Sequence, residues 1–594
     1  VRVVPFLLPA GLFLAAALTP LPVARPAAPA RLRPHRSPID LAILPDGRRA
    51  VTANHTSDSL SLVDLRAGGV LAEAACGRKP SAVACSPDGR RVAVTELWSG
   101  TLSLFEMAGN SFKPTGRVAV GPLPRAVAFA ADGRLYAAAG DEVMRVDFGD
   151  RTMIWRRPAP REPRALAVSA DGRLLAAASA RSGQVRLWDA RTGKLLWTRP
   201  IVDGFNLRGL CFAPDGKALV CSHVVQRNFP VSRENIDKGW VIDSRLTRFA
   251  LEADAEPSSE QVALDSRGKA VGDPHAVAYE PGGRHLVVSA AGSQELLLFQ
   301  TVALPWNPGD PGDVLDPSLR GDDGKFRRLL LGGRPTGMAF RPGTPELAVA
   351  NYLRDSVQLV DVRAGKVLRE VALGGPARPG AARLGEALFY DARRSHHQWF
   401  SCNTCHPDGH TSGRSFDTLN DGGYGAAKLT PSLRGVSRTG PWTWHGWQKD
   451  LGAAVIKSYA ETMFGRKPDK TEVRAVQAFL ATLEHPPSPH PLDAAARRGK
   501  ALFEGKARCT SCHAPPEYTT PSNYDVKIEP DGTAYDKWNP PTLRGVWDRG
   551  PFLHDGRAAT LDEVLEKWHA PEKLGRPKLT PAERRDLVAF LKTL

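Results

Sequence analysis

A turn that returns at nearly constant spacing constrains this chain more than any other feature. Pro45-Asp46-Gly47-Arg48 recurs as Pro87-Asp88-Gly89-Arg90, Ala131-Asp132-Gly133-Arg134, Ala170-Asp171-Gly172-Arg173 and Pro214-Asp215-Gly216-Lys217. It continues as Pro281-Gly282-Gly283-Arg284 and, degraded, as Pro342-Gly343-Thr344-Pro345. The first five aspartates lie 42, 44, 39 and 44 residues apart. Asp-Gly supplies the positive φ angles of a tight hairpin. The flanks alternate as strands do, Ser81-Ala-Val-Ala-Cys85 before one turn and Arg91-Val-Ala-Val-Thr95 after it. A second hairpin follows in each unit, as in Val185-Arg-Leu-Trp-Asp189 running into Arg191-Thr-Gly-Lys194. Four strands in a period of about 42 residues form one blade of a β-propeller. Seven signals predict seven blades over residues 37–375, with strands from the two ends of that stretch pairing to complete one blade.

The repeat resembles the YVTN- and WD-type propeller families, which implies a fold and leaves function open. The long interval between the fifth and sixth signals predicts an insertion near His223–Ala270, carrying Trp240 and projecting from one face. His55, His223, His275 and His285 are candidate propeller site residues, although most histidines in such sheets and loops are structural. Cys211 and Cys221 flank one turn; they either bridge across the hairpin or remain two thiols, as do Cys76 and Cys85.

After Gly374-Gly-Pro-Ala-Arg-Pro-Gly380 the strand pattern gives way to helices and loops. Cys402-Asn-Thr-Cys405-His406 and Cys509-Thr-Ser-Cys512-His513 each read C-x-x-C-H. Two thiols at this spacing can form thioethers to both vinyl groups of one macrocycle, and the following histidine stands under the iron. The motifs point to two covalent haem c groups, attached through Cys402, Cys405, Cys509 and Cys512, with His406 and His513 as axial ligands. Around them the chain repeats itself. Gly385-Glu-Ala-Leu-Phe389 matches Gly499-Lys-Ala-Leu-Phe503, and Pro431-Ser-Leu-Arg-Gly-Val436 matches Pro541-Thr-Leu-Arg-Gly-Val546. Gly440-Pro-Trp442 with His445-Gly446 matches Gly550-Pro-Phe552 with His554-Asp-Gly556. Two modules result, 378–485 and 493–594, joined by the proline-rich stretch Glu484-His-Pro-Pro-Ser-Pro-His-Pro491. The expected fold is multidomain: an N-terminal all-β seven-bladed β-propeller followed by two mainly α cytochrome c-type haem domains.

Residues 378–594 resemble the bacterial di-haem cytochrome c peroxidases and MauG-type enzymes. The most specific pieces are the two C-x-x-C-H motifs and Pro541-Thr-Leu-Arg-Gly-Val…Gly-Pro-Phe-Leu-His-Asp-Gly-Arg557. Some members carry an N-terminal propeller. The resemblance implies a distal ligand for the second haem from the helix after the His-x-Gly segment, Met in peroxidases and Tyr in MauG-type enzymes. No methionine follows Met463, so His569 is the expected axial ligand, with His554 as runner-up. Counting from Leu451 and Leu561 sets Tyr459 opposite His569 in the first module. Tyr459, Met463, His410 and His445 all stand as candidate ligands there, an ambiguity compatible with an open, peroxide-binding iron. Glu461 lies near the position of the family's catalytic glutamate; the plainer reading is a solvated helix residue. Trp442, Trp444 and Trp447 crowd the segment where the family has an electron-transfer tryptophan, and Trp444 is taken as that residue. Calcium between the haem domains is implied by the resemblance alone.

Lys and Arg number 79 against 63 Asp and Glu, a formal net charge of +16. A basic surface suits an acidic partner, and with no nucleic-acid motif present no nucleic-acid partner is expected. Residues 1–30 read as a secretory signal, with an early arginine, an apolar run to about Leu18 and small residues near Ala24–Ala30. An uncleaved anchor is the alternative, which the short run interrupted by Pro5 and Pro9 disfavours. With the signal removed, no stable membrane span and a periplasmic or otherwise exported location are expected. Two functional classes fit. One is an enzyme that turns over hydrogen peroxide at the first haem and relays electrons through the second. The other is an electron carrier whose propeller or haem domains dock a small redox protein or protein substrate.

Overall fold

Each Asp-Gly turn closes a hairpin, and its aspartate acts through its carboxylate. Asp46 Oδ1 accepts from the backbone N–H groups of Arg48 (2.8 Å) and Arg49 (2.9 Å), while Gly47 takes the left-handed φ of 62°. Only the glycine has a positive φ, so the turn needs the aspartate as an acceptor and the glycine for its backbone. The computed structural model describes residues 34–251, 258–419, 424–528 and 536–594; the signal expected at 1–30 lies outside the described residues.

Strands β1 (Pro38–Ile43), β2 (Arg49–Asn54), β3 (Ser59–Asp64) and β4 (Gly69–Ala75) form the first antiparallel sheet. Six more four-stranded sheets follow in chain order. They are β5–β8 within residues 80–119, β9–β12 within 126–158, β13–β16 within 163–200, β17–β20 within 204–263, β21–β24 within 274–330 and β25–β28 within 335–372. The first strand of each sheet packs against the first strand of the next, and β25 packs against β1, so these strands line the centre of a closed seven-bladed ring.

Among the described residues no blade is assembled from two chain segments, contrary to expectation. The ring closes by packing: Leu41, Ala50 and Val63 of the first blade share a buried cluster with Ala348, Ala350 and Val357 of the last. Polar contacts pin the seam. Asp355 Oδ1 accepts from the Ser37 N–H (2.7 Å), and its Oδ2 lies 2.6 Å from His35 Nδ1. The Cys211–Cys221 bridge does not form either. In the hairpin register Cys211 faces Val220 and Cys221 faces Leu210, one step apart, which sends the thiols to opposite faces. Cys76, Cys85, Cys211 and Cys221 are all free.

The predicted insertion is the loop between β18 (Ala218–Gln226) and β19 (Ile242–Ala250), which carries the short helix α1 (Arg233–Asp237). Its Val231, Ile236 and Val241 are buried in one cluster with Trp399, Phe400, Tyr459 and Met463 of the helical region. The projection is thus the seat of the first haem module.

That module contains α2 (Ala381–Phe389), α3 (Cys402–Cys405), α4 (Leu451–Lys457) and α5 (Lys470–Leu480); the second contains α6 (Ala494–Glu504), α7 (Leu561–Glu563) and α8 (Pro581–Thr593). Helix α2 crosses α5, and α6 crosses α8. The repeated glycines have a steric reason. A Cβ on Gly385 would lie 1.9 Å from the Ala475 carbonyl oxygen, and one on Gly499 1.9 Å from that of Asp586. Capping boxes start α5 (Asp469 with Glu472) and α8 (Thr580 with Glu583, Pro581 at the first position). Among the described residues no helix is long and apolar enough to cross a membrane.

Candidate functional site

The two C-x-x-C-H segments fold alike. The N–H of His406 donates to the Cys402 carbonyl and that of His513 to the Cys509 carbonyl, each at 2.9 Å, closing one turn that sets the thiols on its side. His406 Nδ1 lies 2.9 Å from the Pro431 carbonyl oxygen, and His513 Nδ1 lies 3.1 Å from that of Tyr518. A carbonyl only accepts, so Nδ1 carries the proton in both rings and Nε2 keeps its lone pair. Burial pushes both imidazoles down, to about 4, and so keeps them neutral. Burial likewise raises the thiols of Cys402, Cys405 and Cys509, to about 11, 12 and 11. A neutral imidazole with a fixed free nitrogen beside two packed thiols fits haem c.

The distal sides differ. Helix α4 runs on into a π-helical turn, Ser458–Thr462, capped by Met463; α7 runs on into Val564–Trp568, capped by His569. The N–H of Met463 donates to the Ser458 carbonyl (2.9 Å) and that of His569 to the Val564 carbonyl (2.7 Å). π-Turns often mark functional positions. This equivalence sets Met463, not Tyr459, opposite His569, because α4 is one turn longer than α7 and a count from the helix start misses it. Burial first and the neighbouring His513 second push the His569 imidazole down, to about 4, so it too is neutral with a lone pair to offer. Met463 is buried beside Tyr459, whose hydroxyl donates to the Leu388 carbonyl (2.9 Å). Glu461 is exposed on the same turn and ion-paired with Lys457; the structure does not bring it to Tyr459 and Met463.

Between the modules the bridge Trp442–Gln448 recurs as Phe552–Ala558, and the positive φ of Thr443 (75°) recurs at Leu553 (72°). In that register Trp444 matches His554, a correction to the pairing of His445 with His554. Trp444 and His554 meet edge-on with centroids 6.5 Å apart, His554 stacks on Trp538 at 3.8 Å, and Trp538 lies 4.6 Å from His445. Four rings thus run in one row, with His445 and Trp444 of the first module flanking Trp538 and His554 of the second. His445 and His554 are committed to it, and Trp444 Nε1 donates to the Leu429 carbonyl (2.8 Å). Trp538 was missed in the sequence, where it stands apart from both motifs.

The remaining candidates lie elsewhere. Trp442 Nε1 donates to the Val436 carbonyl (2.8 Å), and Lys457 sits over the Trp447 ring. His410 Nδ1 lies 2.9 Å from Ser432 Oγ and its Nε2 3.5 Å from Asp548. His55 contacts the Pro80 carbonyl, His223 contacts Thr247 and His285 contacts Glu280, all structural roles within the propeller. Burial pushes the His275 imidazole well below its usual range, and Arg208 and Arg334 add to the effect. His396 and His397 both reach Asp237 Oδ1, at 2.7 and 3.0 Å, fastening α1 to the first module.

Comparison with known proteins follows this division. A di-haem cytochrome c peroxidase profile matches residues 379–488, a cytochrome c profile 496–594 and a WD-domain G-beta repeat profile 160–189. Methylamine utilization protein MauG of Methylorubrum extorquens is 30% identical over 284 residues, covering 37% of this chain and 79% of that protein. Cytochrome c551 peroxidase of Nitrosomonas europaea is 26% identical over 302 residues, covering 39% and 84%. A solved structure of Kuenenia stuttgartiensis hydrazine synthase matches 56% of this chain and 97% of that chain at 22% identity and a TM-score of 0.51, a likeness of fold.

Proposed function

We propose, from the premise that the chain belongs to the di-haem cytochrome c peroxidase and MauG family, that it is an exported oxidoreductase with two haem c groups. It turns over hydrogen peroxide at the first, held by His406, and relays electrons through the second, held by His513. When bound, the haems supply one-electron redox change and an iron site for O–O cleavage.

The observation that supports this reading is the stack His445–Trp538–His554–Trp444, which joins the two attachment modules ring to ring. The chain's own residues divide the work. His406 and His513 present Nε2 while their Nδ1–H groups are tied to carbonyls. His569 would help hold the second haem, and Trp444 would serve the electron path between the modules. One peroxide takes two electrons and two protons to give two waters; the electrons come from a small redox protein or protein substrate. Calcium between the haem domains belongs to the same proposal.

A second reading, an electron carrier, draws support from Met463, a thioether at the position equivalent to His569. Stopped-flow mixing of half-reduced protein with hydrogen peroxide separates the two. The enzyme consumes peroxide as its second haem is reoxidised. If both irons stay low-spin in every redox state and peroxide only bleaches them slowly, the protein is a carrier.

A further inference from the structure

The loop that carries His406 continues as Pro407-Asp408-Gly409, with Asp408 at a left-handed φ of 52°. Its carboxylate enters the centre of the propeller, where three arginines from three blades converge on it. Arg164 of β13 (Pro163–Val168) pairs with Oδ2, Arg208 of β17 (Gly204–Phe212) reaches Oδ2 at 3.3 Å, and Arg334, at the entry to β25 (Pro335–Phe340), reaches Oδ1 at 3.2 Å. The side chains of Arg164, Arg208 and Arg334 are only 10%, 6% and 2% exposed, so little solvent screens them. Arg334 is further held over the rings of Tyr390 and Tyr352, 3.6 and 4.9 Å from their centroids.

The other shoulder of the loop is held as well. Asp273, just before the inner strand of the sixth blade, accepts from Ser401 Oγ (2.6 Å), Thr404 Oγ1 (2.6 Å) and Asn403 Nδ2 (3.3 Å). Asn206 Nδ2 donates to the Thr404 carbonyl at 3.0 Å. From Ser401 to Asp408 the first attachment loop is thus gripped by propeller side chains. The second loop has no counterpart among the described residues: Ser511 accepts from Arg576 (2.6 Å), and the Cys512 and Ser511 carbonyls accept from Thr520 and Tyr524, all within its own module.

We propose that the propeller forms half of the first haem's proximal site. Asp408 is its positioning residue: clamped by Arg164, Arg208 and Arg334, it fixes the His406 loop and sets the charge beside that ligand. Partners behind a ligand orient it and tune its metal, and an arginine fork gives a carboxylate a defined direction as well as charge. The proposal rests on haem attachment at Cys402 and Cys405 and is the same for an enzyme or a carrier, so its readout is the first haem's potential rather than turnover.

The signs follow from electrostatics. Asp408→Asn leaves three guanidiniums short of their counter-charge, which favours the reduced iron and raises the first haem's potential. Arg208→Gln removes a cation and lowers it. Full-length holoprotein is titrated potentiometrically, with the two haems distinguished by their ferric EPR signals and two haems per chain verified by pyridine haemochrome. Opposite shifts at the first haem, an unmoved second haem and partial recovery in Asp408→Glu are expected. First-haem potentials equal to the parent's, or shifts of both variants in one direction, overturn the proposal, since mere loosening of the loop carries no such sign. Should Asp408→Asn not accumulate with two haems, Arg208→Lys decides. It keeps the charge and shortens the reach; an altered first-haem EPR signal supports the clamp and an unaltered one refutes it.

Discussion

His569 and Met463 end equivalent π-turns, and what each does is a question of one side chain. An imidazole is a strong sixth ligand and keeps ferric iron low-spin, whereas a thioether binds more weakly and raises the potential. His569→Ala should open the second iron, with a high-spin ferric signal and new cyanide binding. Met463→Ala should leave the first iron's spectrum unchanged under the enzyme reading. A gain of high-spin signal in Met463→Ala would instead identify the thioether as a ligand and favour the carrier. The C-x-x-C-H residues were legible because their chemistry lies in adjacent positions. Glu461 was not: a position near a family glutamate says nothing of which side of the helix it faces, and here it faces solvent, paired with Lys457.

At the level of elements, the repeat is most legible where it is most constrained. Gly385 and Gly499 recur because each sits where one helix crosses another against a backbone carbonyl. A methyl group there cannot be absorbed by a flexible neighbour, so α2 and α5, or α6 and α8, must move apart. Overpacking of this kind costs about 1–3 kcal/mol, occasionally more. Gly385→Ala should therefore lower the thermal midpoint of the first module in holoprotein, and Gly499→Ala that of the second; a midpoint equal to the parent's would mean the helices can separate at the crossing without cost. The Asp-Gly turns were readable for the same local reason. Blade closure was not, because packing of Leu41 and Ala50 on Ala348 and Ala350 leaves no trace in spacing. The propeller's central arginines do leave a trace in the sequence: Pro124-Arg125-Ala-Val-Ala, Pro163-Arg164-Ala-Leu-Ala and Leu207-Arg208-Gly-Leu-Cys put a cation just before β9, at the start of β13 and within β17, all inner strands. A cation repeated with the blade period at the centre of the ring asks for an anion, and the first haem loop brings one.

Across the whole molecule, both haem modules are tied to the propeller, and one link to the second runs through the buried carboxylate of Glu162. Glu162 pairs with Arg164 (2.6 Å), Arg181 (2.9 Å) and Arg125 (3.4 Å). Arg181 in turn donates to the carbonyls of Asp548 (2.8 Å), Arg549 (2.8 Å) and Gly550 (3.0 Å) in the second module. Burial alone would raise the Glu162 carboxyl, but Arg164, Arg125 and Arg181 override it and hold the group well below the usual carboxylate range; His410 adds to the effect. A carboxyl depressed on folding contributes stability that is fully present above its unfolded value, about 4.3, and is lost as pH falls below that toward the folded value. The junction should therefore weaken with acid, not with base. Hydrogen exchange at 484–491 and 547–550, the stretches that join and seat the second module, should rise as pH drops below about 4, while the inner strands of the propeller stay protected. Glu162→Gln should show the same local exposure already at neutral pH, because an amide cannot balance three guanidiniums and leaves Arg181 underheld. Equal protection in Glu162→Gln and the parent at neutral pH would mean that Arg181 keeps its three carbonyls without Glu162, and that the second module is seated by its contacts with the first.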